Sequence, residues 1–318
     1  MTDGWRGFPS TGWQSANAVR RRLDAGADPD GGVHGTTPLH LAVEHGTAEA
    51  VAEPAARARH VDAINRGRTP LWQTVQEGKP GLARVLLAVG ADPSRPMMSG
   101  WSPARLSLAT DHVIASGEVL TEQEQAAVDV RDGLLAAEEG FPHYDNYTVV
   151  CVADIDAAEA IRRLNAAVVP RTRYRTPCRR GTGSPCRSAR TRTSPSASPA
   201  CPAGACWCSR GTSTCSCPSS WNGCRRGRSR TACTPTPAAA SRGCVYRDGR
   251  AVDGDLHPGG GPNEHTDTDA YLVLLAHLYE DHAVTYCCAF AGVRPPDNKT
   301  FTEPDQWIRL PGLSNGRA

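Results

Sequence analysis

The sequence predicts an α-helical solenoid in its N-terminal third, followed by a small, incomplete α+β domain that carries a long disordered insert. Three observations lead there. A Thr-Pro-Leu-His tetrapeptide recurs at a fixed spacing. Ordinary mixtures of aliphatic and acidic residues flank residues 166–242. Within that stretch both classes all but vanish. The 318 residues suffice for about two domains of usual size.

A sequence period of a few tens of residues decides the whole architecture. Thr37-Pro38-Leu39-His40 returns as Thr69-Pro70-Leu71-Trp72, 32 residues on, and as Ser102-Pro103-Ala104-Arg105, a further 33 on. Gly35, Gly67 and Gly100 each precede a tetrapeptide by two residues, where a tight turn calls for positive φ. Gly26-Ala27-Asp28-Pro29 and Gly90-Ala91-Asp92-Pro93 mark helix ends, with glycine supplying the left-handed cap and proline preventing continuation. The tetrapeptide itself has a helix-starting chemistry: Thr caps, Pro fits the first turn without losing a hydrogen bond, and Leu enters the core.

These residues resemble the ankyrin family over 13–111, where each repeat is a turn followed by two antiparallel helices. Such helix pairs must stack, since one pair alone cannot bury its apolar face. The stretch 18–23 reads as the second helix of an incomplete first repeat. Pro54-Ala55 stand where the next repeat has Leu86-Leu87, and Ala58-Arg59-His60 replace the Gly-Ala-Asp turn. Proline inside a helix costs about 3 kcal/mol, so the second helix of that repeat is left open. Ala104-Arg105 in place of Leu-His fits a polar C-terminal cap.

The ankyrin resemblance implies where a partner protein would sit, namely on the turn tips and the ends of the first helices. Carried over by position, the tips are Val33, His34 and Thr36, then Asn65, Arg66 and Arg68, then Met98, Ser99 and Trp101. Glu44, His45, Gln76 and Glu77 end the first helices. Arg66, Arg68 and Trp101 are the leading candidates, because Arg and Trp are enriched among residues that carry interface energy.

Beyond the repeats, 112–146 reads as a helical linker. Thr121-Glu122-Gln123-Glu124 has capping-box spacing ahead of a helix over 126–139. Residues 148–152 suit a buried strand and 156–164 a short amphipathic helix. Past the insert, 245–252 suits a hairpin turning at Asp248-Gly249, 269–282 a helix, 283–290 a further strand, and 307–310 a last short one. The pieces 147–165 and 243–312 are therefore assigned to one α+β domain. Their cores, 148–164 and 243–310, resemble an uncharacterised actinobacterial domain that is often joined to repeats; the resemblance brings no activity with it.

From Ala160 to Arg247 there is no Asp or Glu, and from Pro170 to Cys244 no Leu, Ile, Val, Phe or Met. Burial of such side chains is the main contribution offsetting chain entropy, so disorder is expected over 166–242. Several readings of this Arg/Cys/Ser/Pro-rich stretch stand. Its arginines beside Tyr174, Trp207 and Trp221 could bind nucleic acid, and its cysteines could bind zinc. Zinc sites, though, favour Cys-x-x-Cys pairs and nearby His, whereas the close pairs here are Cys-x-Cys and no His lies between His143 and His257. It could also be a natural linker. The preferred reading is translation out of an ancestral frame, which in GC-rich DNA replaces acidic and aliphatic codons with Arg, Pro, Ser, Ala, Gly, Thr and Cys. Translating the other two frames of the gene tests it.

Nothing in the chain makes a convincing catalytic or metal site, and no cofactor is implied. His277 and His282 sit five apart on the expected helix, about 140° around its axis, and read as solvated positions. Cys287 and Cys288, if on a strand, would face opposite sides, one in the core and one partly exposed. Asp253, Asp255 and His257 read as loop residues, and Gly259-Gly260-Gly261 lacks the following Lys of a phosphate-binding loop. A net charge of +2 excludes polyelectrolyte character for the whole chain. The longest aliphatic stretch is far below the roughly 20 residues needed to cross a bilayer. A cytoplasmic, non-enzymatic bacterial protein that binds another protein, with nucleic acid disfavoured and no membrane attachment, is the expectation.

Overall fold

The computed structural model describes residues 4–32, 36–140, 147–152, 154–169, 189–193, 205–210, 231–233, 243–247, 250–256, 258–263, 266–302 and 306–309. They form two compact units: Met1–Gln125 with Pro262–Leu274, and Ala126–Gly261 with Leu275–Ala318.

The first unit is helical. Its helices are α1 (Ala16–Asp24), α2 (Pro38–His45), α3 (Ala48–Ala55), α4 (Pro70–Gln76), α5 (Pro80–Ala88) and α6 (Pro103–Ser107). The repeated tetrapeptide starts each first helix in the same way. Thr37, Thr69 and Ser102 are N-caps whose hydroxyl oxygens accept from the N–H three residues on, and Pro38, Pro70 and Pro103 take the first helical position. Each cap satisfies a donor that the helix itself leaves unpaired.

Stacking follows the repeat. The first helices form one row, α2 on α4 on α6, and the second helices another, α1 on α3 on α5. Their shared core holds Leu39, Val51, Leu71 and Leu86, all fully or almost fully buried. At the α1 end, Trp5 stacks on Trp13 at 4.8 Å and Phe8 meets both edge-on. That cluster had no signal in the repeat pattern.

The second helix of the Pro54 repeat is present as α3. Pro54 sits next to its last residue, so little helix follows the missing donor. Pro54 and Ala55 are buried, and Arg57 and Ala58 donate their N–H groups to the Pro54 carbonyl. The irregular closing turn is held from the preceding repeat: the Asp30 carboxylate accepts from the N–H of Arg59 (3.0 Å) and of His60 (3.0 Å).

The capping box at Thr121 is reciprocal. The Glu124 N–H donates to the Thr121 hydroxyl oxygen (3.2 Å), and the Thr121 N–H donates to the Glu124 carboxylate (2.8 Å). It opens α7 (Glu122–Asp129), and α8 (Arg131–Glu138) follows, so the single helix expected over 126–139 is two.

The second unit contains α8 and β1 (Tyr147–Val152), α9 (Ala157–Arg163), β2 (Ala167–Val169), β3 (Ala189–Thr193), β4 (Ala205–Arg210), β5 (Thr231–Cys233), β6 (Gly243–Arg247) and β7 (Arg250–Leu256). After α10 (Ala270–Leu278) come α11 (Ala283–Ala291), α12 (Lys299–Thr302) and β8 (Gln306–Arg309). The strands described form one antiparallel sheet in the order β2-β8-β3-β4-β1-β5-β6-β7. Within 166–242, where the composition predicts disorder, the strand segments pair through main-chain groups, which need no aliphatic side chain. The expected turn at Asp248-Gly249 lies outside the described residues.

Four expectations are corrected in this unit. Residues 283–290 are helix, not strand. A nine-residue apolar run has no periodicity that separates the two, and here Gly292 closes the helix in the left-handed conformation (φ 75°). Cys287 and Cys288 are consequently both buried, and the Cys288 sulfur lies 3.6 Å from that of Cys151. His277 is half-buried and not freely solvated: its Nδ1 is sealed from water with no hydrogen-bond partner. Burial, reinforced by the Arg131 charge, pushes its pKa down to about 4. Asp253 and Asp255 belong to β7 and not to a loop, and His257 lies outside the described residues.

Candidate functional site

The two turn tips among the described residues share one backbone design. Arg66 and Gly67 have φ values of 49° and 74°, and Ser99 and Gly100 of 48° and 80°, so each tip places two consecutive residues in the left-handed region. That is the conformation of a two-residue hairpin turn. Asn65 and Arg68 accordingly exchange both main-chain hydrogen bonds, at 2.9 and 3.0 Å. In the next tip the Met97 N–H donates to the Trp101 carbonyl at 2.6 Å. Sequence reasoning found the glycines; it missed that the preceding non-glycine residue shares their strained geometry.

Adjacent tips are tied together. The Asn65 amide donates to the Thr36 hydroxyl at 3.2 Å. His40 is almost wholly buried; its Nε2 donates to the Arg68 carbonyl (3.1 Å) and its Nδ1 accepts from the Thr37 hydroxyl (2.7 Å). Burial lowers the His40 pKa, partly opposed by the Arg68 carbonyl, and favours the neutral ring this bonding needs. At the same repeat position Trp72 donates to the Gln76 amide oxygen (3.3 Å). There Arg105 donates through Nη2 to both carboxylate oxygens of Glu124 (3.0 and 2.9 Å) and lies 4.5 Å from the centre of the Trp101 ring.

The ends of the first helices are partly engaged. Glu44 is exposed, with His45 at 3.7 Å. Glu77, also exposed, accepts from Gln73 (2.8 Å) and pairs with Lys79 (2.6 Å). Arg66 is exposed at its tip, whereas Thr36, Asn65, Arg68, Gln76 and Ser99 are half-buried.

Two of the carried-over tip residues are interior. Trp101 is fully buried and Met98 nearly so. Trp101 donates its indole N–H to the Ala270 carbonyl at 2.8 Å, and a side chain covered in this way is not available to a partner. Val33 and His34 lie outside the described residues.

The cover comes from the unit's own second piece, 262–274. Besides the Trp101–Ala270 bond, the Arg68 guanidinium donates to the Pro262 carbonyl, and Ser99 donates to the Asp267 carboxylate through both its N–H and its hydroxyl (hydroxyl at 3.0 Å). The segment holds its own shape through Thr266, which is buried and exchanges hydrogen bonds with Asn263 at 2.8–3.0 Å.

On the second-helix side, a groove of about 540 Å³ runs between α5 and residues 110–115, with Val75, Ala83, Leu87 and Ile114 among its walls. Among the described residues no cluster of three or more His, Cys, Asp or Glu side chains could hold a metal ion. None of the described helices is long and apolar enough to cross a membrane.

No protein-family model matches the chain. Curated relatives include the ankyrin repeat domain-containing protein 13B of Mus musculus and that of Homo sapiens. Each is 38% identical over 91 residues, covering 28% of this chain and 14% of the relative's length. The chain thus spans a small part of the curated relatives it matches, and the similarity supports an ankyrin-like character for the segment concerned.

Proposed function

We propose that this chain is a non-catalytic binding protein whose ankyrin-like repeats hold a partner protein in the cytoplasm, with a regulatory outcome. The observation that carries the reading is the stacked row α2, α4 and α6, beside which Glu44, Arg66 and Glu77 are exposed. Repeat stacking of this kind makes an extended surface from short-range contacts alone. The similarity to ankyrin repeat proteins supports it.

Affinity capture with the full chain, beside a variant carrying Arg66→Glu and Glu77→Lys, tests this. Both changes lie on exposed positions, and circular dichroism verifies that the variant is folded. A specific partner should be retained by the parent and lost at least about tenfold by the variant, since charge reversal at a contact commonly costs several kcal/mol. Equal retention by both would remove this surface from the function.

A further inference from the structure

Residues 262–263 and 266–270 lie on the very tips that a repeat protein of this type offers to others, and they do so with specific chemistry. They present two main-chain carbonyls, of Pro262 and Ala270, to the Arg68 guanidinium and the Trp101 indole. They present one carboxylate, of Asp267, to the N–H and hydroxyl of Ser99. The Ser99 N–H is free to point there because the residue is in the left-handed conformation. Charge complements the fit: 258–274 contains Glu264, Asp267 and Asp269 and no Lys or Arg, while Arg66, Arg68 and Arg95 belong to the tips and the turn beside them.

We infer that this segment is a built-in occupant of the second and third turn tips, and that the partner these tips accept is an acidic, turn-forming segment that takes its place. It would supply a carboxylate to Ser99 and a main-chain carbonyl to Arg68. This rests on the docking function proposed above. A tethered segment competes at high effective concentration, so a partner reaching this surface must either bind more tightly or meet a chain in which the segment has been released.

The test uses the full chain and a fluorescently labelled synthetic peptide of residues 260–272, followed by anisotropy. The parent chain should bind the peptide weakly. Asp267→Arg, a change at an exposed position, should bind it at least about tenfold more tightly by releasing the tethered copy, and Asp267→Glu should restore the parent behaviour. A peptide carrying Asp267→Asn should lose most of the gain. Hydrogen exchange of the 97–101 amides reads the intramolecular contact separately, and it should quicken in Asp267→Arg. Unchanged exchange means the contact is absent, and faster exchange without peptide binding means it only stabilises the fold; either result overturns the inference. Capture of a protein partner indifferent to Asp267→Arg would also overturn it while leaving the docking function standing. Tighter peptide binding by Asp267→Arg while no protein partner is captured would leave the built-in occupant standing and overturn both the partner assignment and the broader reading.

Discussion

The Lys79 ammonium donates to the main-chain carbonyl of Val43 at 2.8 Å, across the interface between successive repeats. It also reaches the Glu44 carbonyl (2.9 Å) and the Glu77 carboxylate (2.6 Å). Val43 and Glu44 belong to the last turn of α2, where carbonyls lack helical partners and the helix dipole favours a cation. One of the chain's two lysines thus closes the end of one repeat from the next. Lys79→Met keeps the stem and removes the donors. It should cost about 1–2 kcal/mol in urea denaturation. A loss below about 0.3 kcal/mol would show that water replaces the ammonium without penalty.

Trp101 should behave as a core residue. It is fully buried, bonded to the Ala270 carbonyl and stacked under Arg105. Trp101→Ala is expected to destabilise the repeat unit by about 3–5 kcal/mol, visible as an earlier thermal transition by circular dichroism. A variant as stable as the parent would mean that the indole is a surface group after all.

Replacing Pro54 should stabilise the protein. Alanine restores the donor for the Ala50 carbonyl and removes the ring clash with the preceding turn, worth about 3 kcal/mol in a helix interior. Lost burial of the ring and the position one residue from the end of α3 reduce the gain. A net gain of about 1 kcal/mol is expected for Pro54→Ala, raising the melting temperature by about 2–4 °C. A lower melting temperature would show that the ring's packing outweighs the backbone effect.

Stability should fall as the solution is acidified below neutrality. The folded-state pKa of His277 is depressed to about 4 by burial and Arg131, and that of His40 is lowered by burial. In the unfolded chain both titrate near 6.5, so between these limits the unfolded chain binds more protons and gains on the folded one. The contribution is complete above about pH 6.5 and declines as pH falls toward 4. For His277 it amounts to about 2 kcal/mol between pH 7 and pH 5. Urea denaturation followed at 222 nm over that range should show the slope, and His277→Leu should flatten it. Identical slopes for parent and variant would contradict the burial of the ring.

The Thr/Ser-Pro helix starts, the tips at Gly67 and Gly100 and the capping box at Thr121 were legible in the sequence, because each depends on residues within one turn of each other, and the repeat period was legible because that local signature returns. Short-range sterics and hydrogen bonding decide them wherever the rest of the chain lies. Tertiary structure alone decided whether Trp101 met solvent or the Ala270 carbonyl, whether 283–291 coiled or extended, and whether His277 kept its water. In each case the deciding atoms lie far away along the chain or in another element, and an apolar run or a lone aromatic fits either outcome until the opposing surface is in place. Pro54 shows the converse: a residue locally hostile to helix is held in one because its neighbours bury it near the end, where few hydrogen bonds remain to be lost.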